Sequence, residues 1–442
     1  MQVLLIYETP VLKHLYLNQI QPLGILYIAS YLESKGITTE VLDLNVDNNK
    51  KINFKKFDYI GFSVNAGNIE NTIESVKKVK QKSPKSKIIL GGPHIKIVHK
   101  KLLELPQIEC LIADEAEDIM YKYIISKNKF KVKGIYIRKK GKSFFTGKRK
   151  PIQDLDSLPY PAIDKIPYKK YDMVIKKESP TCAINTSRGC PYSCVFCYHS
   201  LGHKYRARKP ENVVKEIKWL KNKGINELYI TDDNFTQNMK RVEEICDLII
   251  RQKINISLSL ANGIRADKIN KKLLRKLKSA GVWNITFAPE VGSEKSMKKI
   301  RKGFTKKQVI KAVEMSKRLG LFTMSNFVIG FPWETKKDIE DTIKFAKELD
   351  TDLMNVNRLI PYPGTLIWEQ TLKGQYSLYD EKKDFSDIRF KHKTLTEDQI
   401  QRYIKKMNRT FYTPKKVISI MHKLGIKTVF NLAKYTIYSK LI

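Results

Sequence analysis

The feature that most restricts the possible folds of this chain is an alternation of short apolar runs with amphipathic helical stretches. It occurs twice along the 442 residues, and in the second series the apolar runs lie roughly 30 residues apart, the length of a strand–helix–strand unit. Strands that alternate with helices form parallel sheets covered by helices. We therefore predict an α/β protein with a doubly wound, Rossmann-like domain over residues 1–138 and a (β/α)6-type partial barrel over residues 176–370.

Two other regions complete the predicted organisation. Residues 139–175 are basic and contain the run Leu158-Pro159-Tyr160-Pro161, which predicts a linker or strap. Residues 371–442 are expected to form a small, basic helical region. From position 411 to the end the chain has no acidic residue and six lysines, which are Lys415, Lys416, Lys423, Lys427, Lys434 and Lys440.

Composition narrows the class of protein without naming a function. Hydrophobic residues make up 42% of the chain, which fits a folded protein, and no stretch reaches the ~18 apolar residues of a membrane span. The apolar start Met1–Tyr7 lacks the features of a signal peptide, so we expect a cytoplasmic protein. The formal net charge of +38 favours an anionic partner, such as nucleic acid, an acidic lipid surface or a phosphorylated substrate.

Three of the six cysteines lie close together, as Cys190-x3-Cys194-x2-Cys197, directly after a predicted strand. Three thiolates on one short loop can hold three corners of an iron–sulfur cubane and leave its fourth iron open. A tetrahedral zinc ion would need a fourth ligand, for which His199 and His203 are near enough in sequence. A zinc-stabilised, basic RNA-binding protein is therefore the alternative from another functional class.

The segment around these cysteines, residues 186–198 (TSRGCPYSCVFCY), resembles the signature loop of radical S-adenosylmethionine (SAM) enzymes. The resemblance implies a [4Fe–4S] cluster on the three cysteines, with SAM on the open iron and a 5′-deoxyadenosyl radical as the reactive species. Segments at later strand ends also resemble this family. Together they imply SAM contacts by Phe196, Tyr198, Asp232, Asp233, Asn262, Arg265, Glu290, Gly330 and Pro332.

The resemblance also assigns roles to some of these residues. Asp232 and Asp233 would accept hydrogen bonds from the SAM ammonium group, although capping of a helix is an alternative. Arg265 would pair with the SAM carboxylate, or form only a surface ion pair. Glu290 would contact the ribose or amino group, in a segment that departs from the family's usual Gly-Ile-Glu-Ser-Gly. The backbone at Gly330 would lie near the adenine.

The first domain resembles the cobalamin-binding domain of the large B12-dependent radical SAM class. Small residues at the carboxyl ends of parallel strands would let a bulky planar ligand approach the backbone. No Asp-x-His-x-x-Gly motif is present, which implies cobalamin without a protein imidazole below it; a domain that binds no cofactor is the alternative. The cobalamin contacts implied by the resemblance are Pro22, Leu23, Gly24, Ser63, Gly91, Gly92, Pro93, His94, Glu115 and Glu117.

These resemblances imply a cobalamin-dependent radical SAM enzyme that methylates an unactivated carbon. A cyclase or oxidase of the tetrapyrrole-cyclase type and a lipid-modifying radical enzyme remain alternatives, and no catalytic residue is assigned. The expected partners are a small-molecule or lipid substrate and a flavodoxin- or ferredoxin-like reductant. The basic C-terminus would either contact a membrane surface or serve as a helical cap on the barrel, and nucleic acid is the less favoured partner.

Overall fold

The computed structural model describes residues 1–8, 20–47, 50–65, 67–378 and 388–438. The chain forms two compact units, the first from Met1 to Asp172 and the second from Met173 to Ile442. Parallel strands dominate the main sheet of each unit, which confirms the predicted α/β class.

The first unit is a doubly wound sheet with helices between its strands. Its strands are β1 (Gln2–Tyr7), β2 (Thr38–Asp43), β3 (Tyr59–Ser63), β4 (Lys87–Gly91), β5 (Ile108–Ile112), β6 (Ile135–Lys139) and β7 (Lys142–Phe145). Its helices are α1 (Leu23–Ser34), α2 (Ile69–Lys82), α3 (Ile95–Leu103) and α4 (Ala116–Ile125). The parallel strands stand in the order β2-β1-β3-β4-β5, and β6 and β7 extend the sheet in antiparallel fashion. Because the strand order reverses beside β1, a ligand crevice is expected at the carboxyl ends of β1 and β3.

Much of the range 139–175, which the sequence predicts to be a linker or strap, is folded into the first unit. Its residues Lys142–Phe145 form the edge strand β7, and three short 3-10 helices follow. Ile163 is fully buried, and the Tyr171 hydroxyl donates a 2.5 Å hydrogen bond to the buried Asp43 carboxylate. Buried apolar and aromatic side chains between the prolines and lysines therefore hold this segment on the unit.

The second unit contains an open barrel of six parallel strands. Its strands are β8 (Thr181–Ile184), β9 (Ser187–Arg188), β10 (Arg206–Ala207), β11 (Glu227–Ile230), β12 (Ser257–Ile264), β13 (Val282–Glu290), β14 (Phe322–Ile329), β15 (Leu353–Arg358), β16 (Ser377–Leu378) and β17 (Phe390–Lys391). The barrel order is β8-β11-β12-β13-β14-β15, with β8 and β15 at the two edges, which confirms the predicted partial barrel. Because these strands are parallel, their carboxyl ends share one mouth.

Ten α-helices are described in the second unit. They are α5 (Pro210–Asn222), α6 (Met239–Arg251), α7 (Lys271–Ser279), α8 (Glu294–Lys299), α9 (Lys306–Arg318), α10 (Lys336–Leu349), α11 (Leu366–Leu372), α12 (Glu397–Phe411), α13 (Pro414–Leu424) and α14 (Ile426–Tyr438). Ile420 of α13 is buried in a cluster with Phe322 and Leu353, the first residues of β14 and β15. Helix α13 thus packs at the end of the barrel opposite its mouth.

Part of the positive charge of the C-terminal helices is paired within the second unit. Lys416 forms an ion pair with Asp350, and Lys423 forms one with Asp352. These contacts agree with the helical-cap alternative for this region. Within the described ranges, no helix is both long enough and apolar enough to cross a membrane.

Candidate active site

The cysteine loop leaves the carboxyl end of β8 and is closed at its base. The short strands β9 and β10 pair with each other, so residues 189–205 form one excursion from the barrel. Gly189 begins this excursion with a φ of +83°, and a Cβ atom there would lie 2.3 Å from the Lys204 carbonyl oxygen. Only glycine fits this turn, which explains the glycine directly before the first cysteine.

The three thiols of the loop form a donor set that suits an iron–sulfur cluster. Desolvation raises the pKa of Cys190, Cys194 and Cys197, the last of them to about 12. For Cys194 and Cys197, charge on the neighbouring cysteines raises the pKa further, whereas Lys302 lowers it. Three neighbouring thiolates are therefore unfavourable without a cation, and bound iron would supply the positive charge they need. The residues fit a [4Fe–4S] cluster with three protein ligands.

The histidines that the sequence offers as zinc ligands contact each other. The ring centroids of His199 and His203 lie 4.0 Å apart. A structural zinc ion brings four protein donor atoms to about 2.0–2.3 Å from one centre. In the part of the chain that the structure describes, no group of three His, Cys, Asp or Glu side chains could hold a single metal ion.

Asp232 follows β11 and holds the start of the cysteine loop. Its carboxylate accepts hydrogen bonds from the Thr186 amide (2.6 Å), the Thr186 hydroxyl (2.6 Å) and the Ser187 hydroxyl (2.5 Å). Burial raises the pKa of the Asp232 carboxyl group, and these hydrogen bonds oppose the increase. Asp233 accepts a 2.8 Å hydrogen bond from the Gly189 amide. Both aspartates therefore support the loop, and their contact with SAM stays a prediction.

Arg241 of α6 supports the same strand end and was not predicted from the sequence. Its Nε atom donates to the Arg208 carbonyl (2.7 Å), and its Nη2 atom donates to the Thr186 carbonyl (2.8 Å). Arg208 itself forms a buried ion pair with Glu216. The only sequence signal was a basic residue on a helix, which more often indicates a solvated face.

Arg265, at the end of β12, already has partners on the protein. Its guanidinium donates two hydrogen bonds to Asp267 (2.9 and 3.1 Å) and one to the Lys302 carbonyl (2.8 Å). The guanidinium carbon also lies 3.5 Å from the ring centroid of Tyr192, inside the cysteine loop. Arg265 thus connects β12 to the loop. Its bond to Asp267 corresponds to the ion-pair alternative, and pairing with the SAM carboxylate stays a prediction.

Glu290 ends β13 in a backbone conformation that is rare for a residue with a side chain. Its φ is +68°, and its carboxylate forms an ion pair with Lys302. The Lys302 ammonium nitrogen also lies 5.9 Å from the ring centroid of Phe196, in the cysteine loop. Strained backbone of this kind is often found at functional sites. Glu290 therefore lies beside the loop with an unpredicted lysine as its partner, and its contact with SAM stays a prediction.

The segment after β14 also packs on the cysteine loop. Oε2 of Glu334 accepts hydrogen bonds from the amides of Gly330 (2.8 Å) and Phe331 (2.9 Å). The Phe331 ring meets the Phe196 ring edge to face, with centroids 5.7 Å apart. Pro332, the next residue, is also buried. These contacts place an apolar wall next to the cysteines.

Two further predicted SAM contacts lie at the same mouth. The Tyr198 ring lies 5.6 Å from the Tyr362 ring, in the segment after β15. Asn262 is exposed near the end of β12, and its Nδ2 atom donates a 2.8 Å hydrogen bond to the Asp232 carbonyl. The predicted SAM contacts therefore all lie in the cysteine loop or at the carboxyl ends of the barrel strands.

The interior of the barrel carries uncharged polar groups that were not predicted from the sequence. Phe327 of β14 packs on Phe345 of α10, so Met324, on the other face of the strand, points to the interior. The Met324 sulfur accepts a weak hydrogen bond (3.6 Å) from Asn284, which places Asn284 and Thr286 on the interior face as well. Asn284 Oδ1 and Thr286 Oγ1 are buried and have no hydrogen-bond partner among the described residues. Such atoms require a water molecule or a ligand.

In the first unit, two glycines predicted to contact cobalamin have different structural roles. Gly24 lies in the first turn of α1, and a Cβ atom there would meet no other atom within 4 Å. Gly92 has a φ of +122°, and a Cβ atom there would lie 2.3 Å from the Val64 carbonyl oxygen. Gly92 is therefore required by the approach of two loops, whereas Gly24 leaves free space for a bulky ligand. Ser63 ends β3 and is half-buried.

The other predicted cobalamin contacts vary in exposure. His94 is 1% exposed, and burial lowers its pKa to about 4, so this imidazole is neutral at physiological pH. Glu115 accepts a 2.8 Å hydrogen bond from the Ile152 amide, and Glu117 is buried in α4. The remaining members flank α1 and the end of β4: Pro22, Leu23, Gly91 and Pro93. The small residues and the space at Gly24 fit a bulky cofactor.

Comparison with known proteins agrees with this geometry. Residues 184–346 match the family model of the radical SAM superfamily, and residues 11–124 match that of the B12 binding domain. The uncharacterized methyltransferase PH0819 of Pyrococcus horikoshii is 32% identical over 414 residues, which cover 90% of this chain and 89% of the relative. The chain belongs to the family of radical SAM enzymes that carry a B12-binding domain.

Two further similarities characterise this radical SAM enzyme. The anaerobic magnesium-protoporphyrin IX monomethyl ester cyclase of Rubrivivax gelatinosus is 26% identical over 380 residues, covering 82% of this chain and 68% of the cyclase. The methyltransferase TsrM from Kitasatospora setae, solved with cobalamin and a [4Fe–4S] cluster, shares the fold with a TM-score of 0.70 at 16% identity, covering 87% of this chain and 81% of TsrM. The predicted cofactors, a [4Fe–4S] cluster, SAM and cobalamin, are confirmed as those of the family.

Proposed function

We propose that this radical SAM enzyme transfers a methyl group to a carbon atom of a small molecule, with the [4Fe–4S] cluster on Cys190, Cys194 and Cys197. The observation that carries the proposal is a loop that presents three thiols at the barrel mouth and is braced at its base. The other two cysteines of the unit, Cys182 and Cys246, are buried in β8 and α6. The names of PH0819 and TsrM, both methyltransferases, also support methyl transfer.

The chain's own residues would bind the cofactors, fix the loop and exclude water. When bound, the cofactors would supply a carbon-centred radical and a methyl donor. Asp232 and Asp233 hold the residues before the first cysteine through four hydrogen bonds, two from backbone amides and two from hydroxyl groups. The rings of Phe196 and Phe331 cover the side of the loop that faces β14. An apolar, rigid surround of this kind protects a reactive intermediate from side reactions.

Cyclisation or oxidation is the second candidate activity. It is supported by the relative from Rubrivivax gelatinosus, whose name is that of a cyclase. The two activities differ in the mass of the product, because methyl transfer adds a CH2 unit and cyclisation or oxidation does not. Mass spectrometry of the substrate after turnover, with methyl-labelled SAM, would separate them.

The polar interior of the barrel is evidence for an uncharged substrate that can form hydrogen bonds. Asn284 and Thr286 present buried oxygen atoms to this interior, and neither residue carries a charge. A purely hydrocarbon substrate would leave such oxygens unsatisfied, at a cost of about 1–3 kcal/mol for each. We therefore favour a neutral polar small molecule over a lipid chain.

For the C-terminal helices we propose a cap on the barrel in a cytoplasmic enzyme. The burial of Ile420 and the ion pairs of Lys416 and Lys423 support this role. A lipid contact would use the exposed Ile418 and Ile426 instead. Flotation with anionic liposomes, with and without residues 413–442, would separate the two roles.

The central experiment compares Cys194→Ala with Cys246→Ala after anaerobic purification. Cys194→Ala should lose most of its iron, its brown colour and its reductant-dependent cleavage of SAM. Cys246→Ala, a buried cysteine outside the loop, should keep all three. If Cys194→Ala retained full SAM cleavage, the assignment of the cluster to this loop would be wrong.

The cobalamin site is tested by two glycine variants of the full chain. Gly24→Ala adds a methyl group in open space at a helix start, so it should leave folding unchanged or slightly improved and weaken cobalamin binding. Gly92→Ala should destabilise the first unit, because its Cβ atom would collide with the Val64 backbone. Unchanged cobalamin affinity in Gly24→Ala would remove this residue from the proposed site.

A further inference from the structure

A group of exposed positive charges lies next to the cysteine loop in the fold. Residues 294–307 contain seven Lys or Arg residues and one acidic residue. Three neighbouring members of this set are exposed, and we refer to them as the basic rim: Lys298, Lys299 and Arg301. The Lys299 ammonium nitrogen lies 5.3 Å from the ring centroid of Trp333. Within the described part of the chain, no carboxylate forms an ion pair with the basic rim.

The basic rim is joined directly to the loop that carries the cysteines. Ile300, which lies between Lys299 and Arg301 in the chain, is fully buried. Its carbonyl accepts a 3.2 Å hydrogen bond from the Val195 amide. Val195 lies between the second and third cysteines. Lys302, next to Arg301, turns inward to within 5.9 Å of the Phe196 ring centroid. The same short segment thus contacts the loop on one side and presents three cations to solvent on the other.

We propose that the basic rim is the docking site of a small acidic electron-carrier protein of the flavodoxin or ferredoxin type. The inference rests on the proposed function, because a radical SAM enzyme needs one electron from an external donor. In the complex, one electron leaves the reduced carrier and enters the cluster; no bond is formed or broken, and no proton moves. Electron transfer slows steeply with distance, so the carrier must dock close to the cysteine loop.

The position of the charge distinguishes this partner from other polyanions. The net charge of +38 would attract RNA or acidic lipid to many parts of the surface. The basic rim, by contrast, belongs to a segment that is hydrogen-bonded to the cysteine loop through its backbone, so its charge lies close to the site of the cluster. An acidic protein surface complements such cations and is guided to them over long range at low ionic strength.

The test reverses the charge of the basic rim in the full chain loaded with its cluster. The variant combines Lys298→Glu, Lys299→Glu and Arg301→Glu. A matched control reverses three exposed lysines of α5 and α7 and changes the net charge equally: Lys215→Glu, Lys218→Glu and Lys271→Glu. Affinity for a purified flavodoxin is measured by biolayer interferometry at low and high ionic strength, together with iron content per chain.

We expect the rim variant to bind flavodoxin about tenfold more weakly or worse at low ionic strength, while the control stays within about twofold of wild type. The wild-type affinity should fall as salt is added, and that of the rim variant should change little. A milder variant, Lys298→Gln with Lys299→Gln, should show an intermediate loss and serves if the triple variant folds poorly. Equal losses in the rim variant and the control, or no loss in either, would overturn the proposal.

Two further measurements distinguish carrier docking from RNA binding and from a defect in the cluster itself. If the rim variant loses affinity for single-stranded RNA but not for flavodoxin, the rim is a nucleic-acid site and the proposal is wrong. Cleavage of SAM driven by dithionite needs no docking protein, so it should be the same in the rim variant and wild type. If dithionite produced no cleavage in wild type, the proposed function would fail, and the flavodoxin affinities would still decide the docking site.

Discussion

Removal of the Asp232 carboxylate tests whether this residue braces the cysteine loop or serves only a bound cofactor. Asp232→Ala leaves three buried donors without their acceptor, namely the Thr186 amide, the Thr186 hydroxyl and the Ser187 hydroxyl. Hydrogen bonds to a charged group contribute about 1.5–3 kcal/mol each. The substitution also relieves the desolvation that raises the Asp232 pKa, which offsets part of this loss. We therefore expect the free energy of unfolding of the second unit to fall by about 3 kcal/mol.

The assay is urea unfolding of the full chain followed by tryptophan fluorescence. All four tryptophans lie in the second unit, at Trp219, Trp283, Trp333 and Trp368, so the signal reports that unit alone. Asp247→Ala is the matched control, because the Asp247 side chain is 44% exposed and pairs with Lys276 on the surface. Asp247→Ala should lower the free energy of unfolding by less than about 1 kcal/mol.

The two roles of Asp232 give opposite results. If Asp232 holds the cysteine loop in place, Asp232→Ala should have a lower urea midpoint and a lower iron content than wild type. Asp232→Asn should lie between Asp232→Ala and wild type, because one acceptor oxygen remains. A residue that only binds SAM predicts a normal midpoint and normal iron content with a weaker affinity for SAM. The second pattern would refute the reasoning from the hydrogen bonds.

Two other substitutions test buried groups of the second unit. Burial raises the pKa of Glu334 to about 8 in the folded state, with hydrogen bonds from Phe331 and Gly330 opposing it. The folded state then holds a proton that the unfolded state releases, so stability should fall as pH rises from about 4.5 to 8, by at most about 4–5 kcal/mol. Glu334→Gln should flatten this dependence in urea midpoints across that range, and equal slopes would contradict the assignment. Ile420→Ala should lower the free energy of unfolding by about 2–4 kcal/mol, because Ile420 is buried, at 3% exposure. Ile418→Ala should lower it by less than about 0.5 kcal/mol, because Ile418 is 54% exposed. Equal urea midpoints for these two isoleucine variants would argue against packing of α13 on the barrel.

The alternation of strands and helices was predictable because buried parallel strands need unbroken apolar runs. The apolar start of the chain is such a case, because its Val-Leu-Leu-Ile run at positions 3–6 is buried in β1. For residues 139–175 the sequence predicts only a linker or strap, because prolines and lysines indicate turns but do not show whether the residues between them are buried. Tyr171 is an example, since its burial depends on Asp43, which lies far away in sequence.

The location of the site was predictable, but the partners of its side chains were not. A polar residue after a strand of a parallel barrel lies at the mouth whatever it binds there. Whether Asp232 faces a cofactor or the amide and hydroxyl groups of Thr186 and Ser187 depends on how two neighbouring strands are aligned, and the sequence does not contain that information directly. Lys302 and Arg241 were missed for the same reason, because in a chain with 83 Lys and Arg a single basic residue carries little signal.

The supports of the cysteine loop come from several strands of the barrel rather than from the loop itself. Asp232 follows β11, Arg265 follows β12, and Glu290 ends β13 and pairs with Lys302. A loop held from separate strands loses little further conformational freedom when it binds a cluster, which favours binding. The barrel would thus set the loop geometry before the cluster binds, and a change at any one support should alter iron content even where no cysteine is touched.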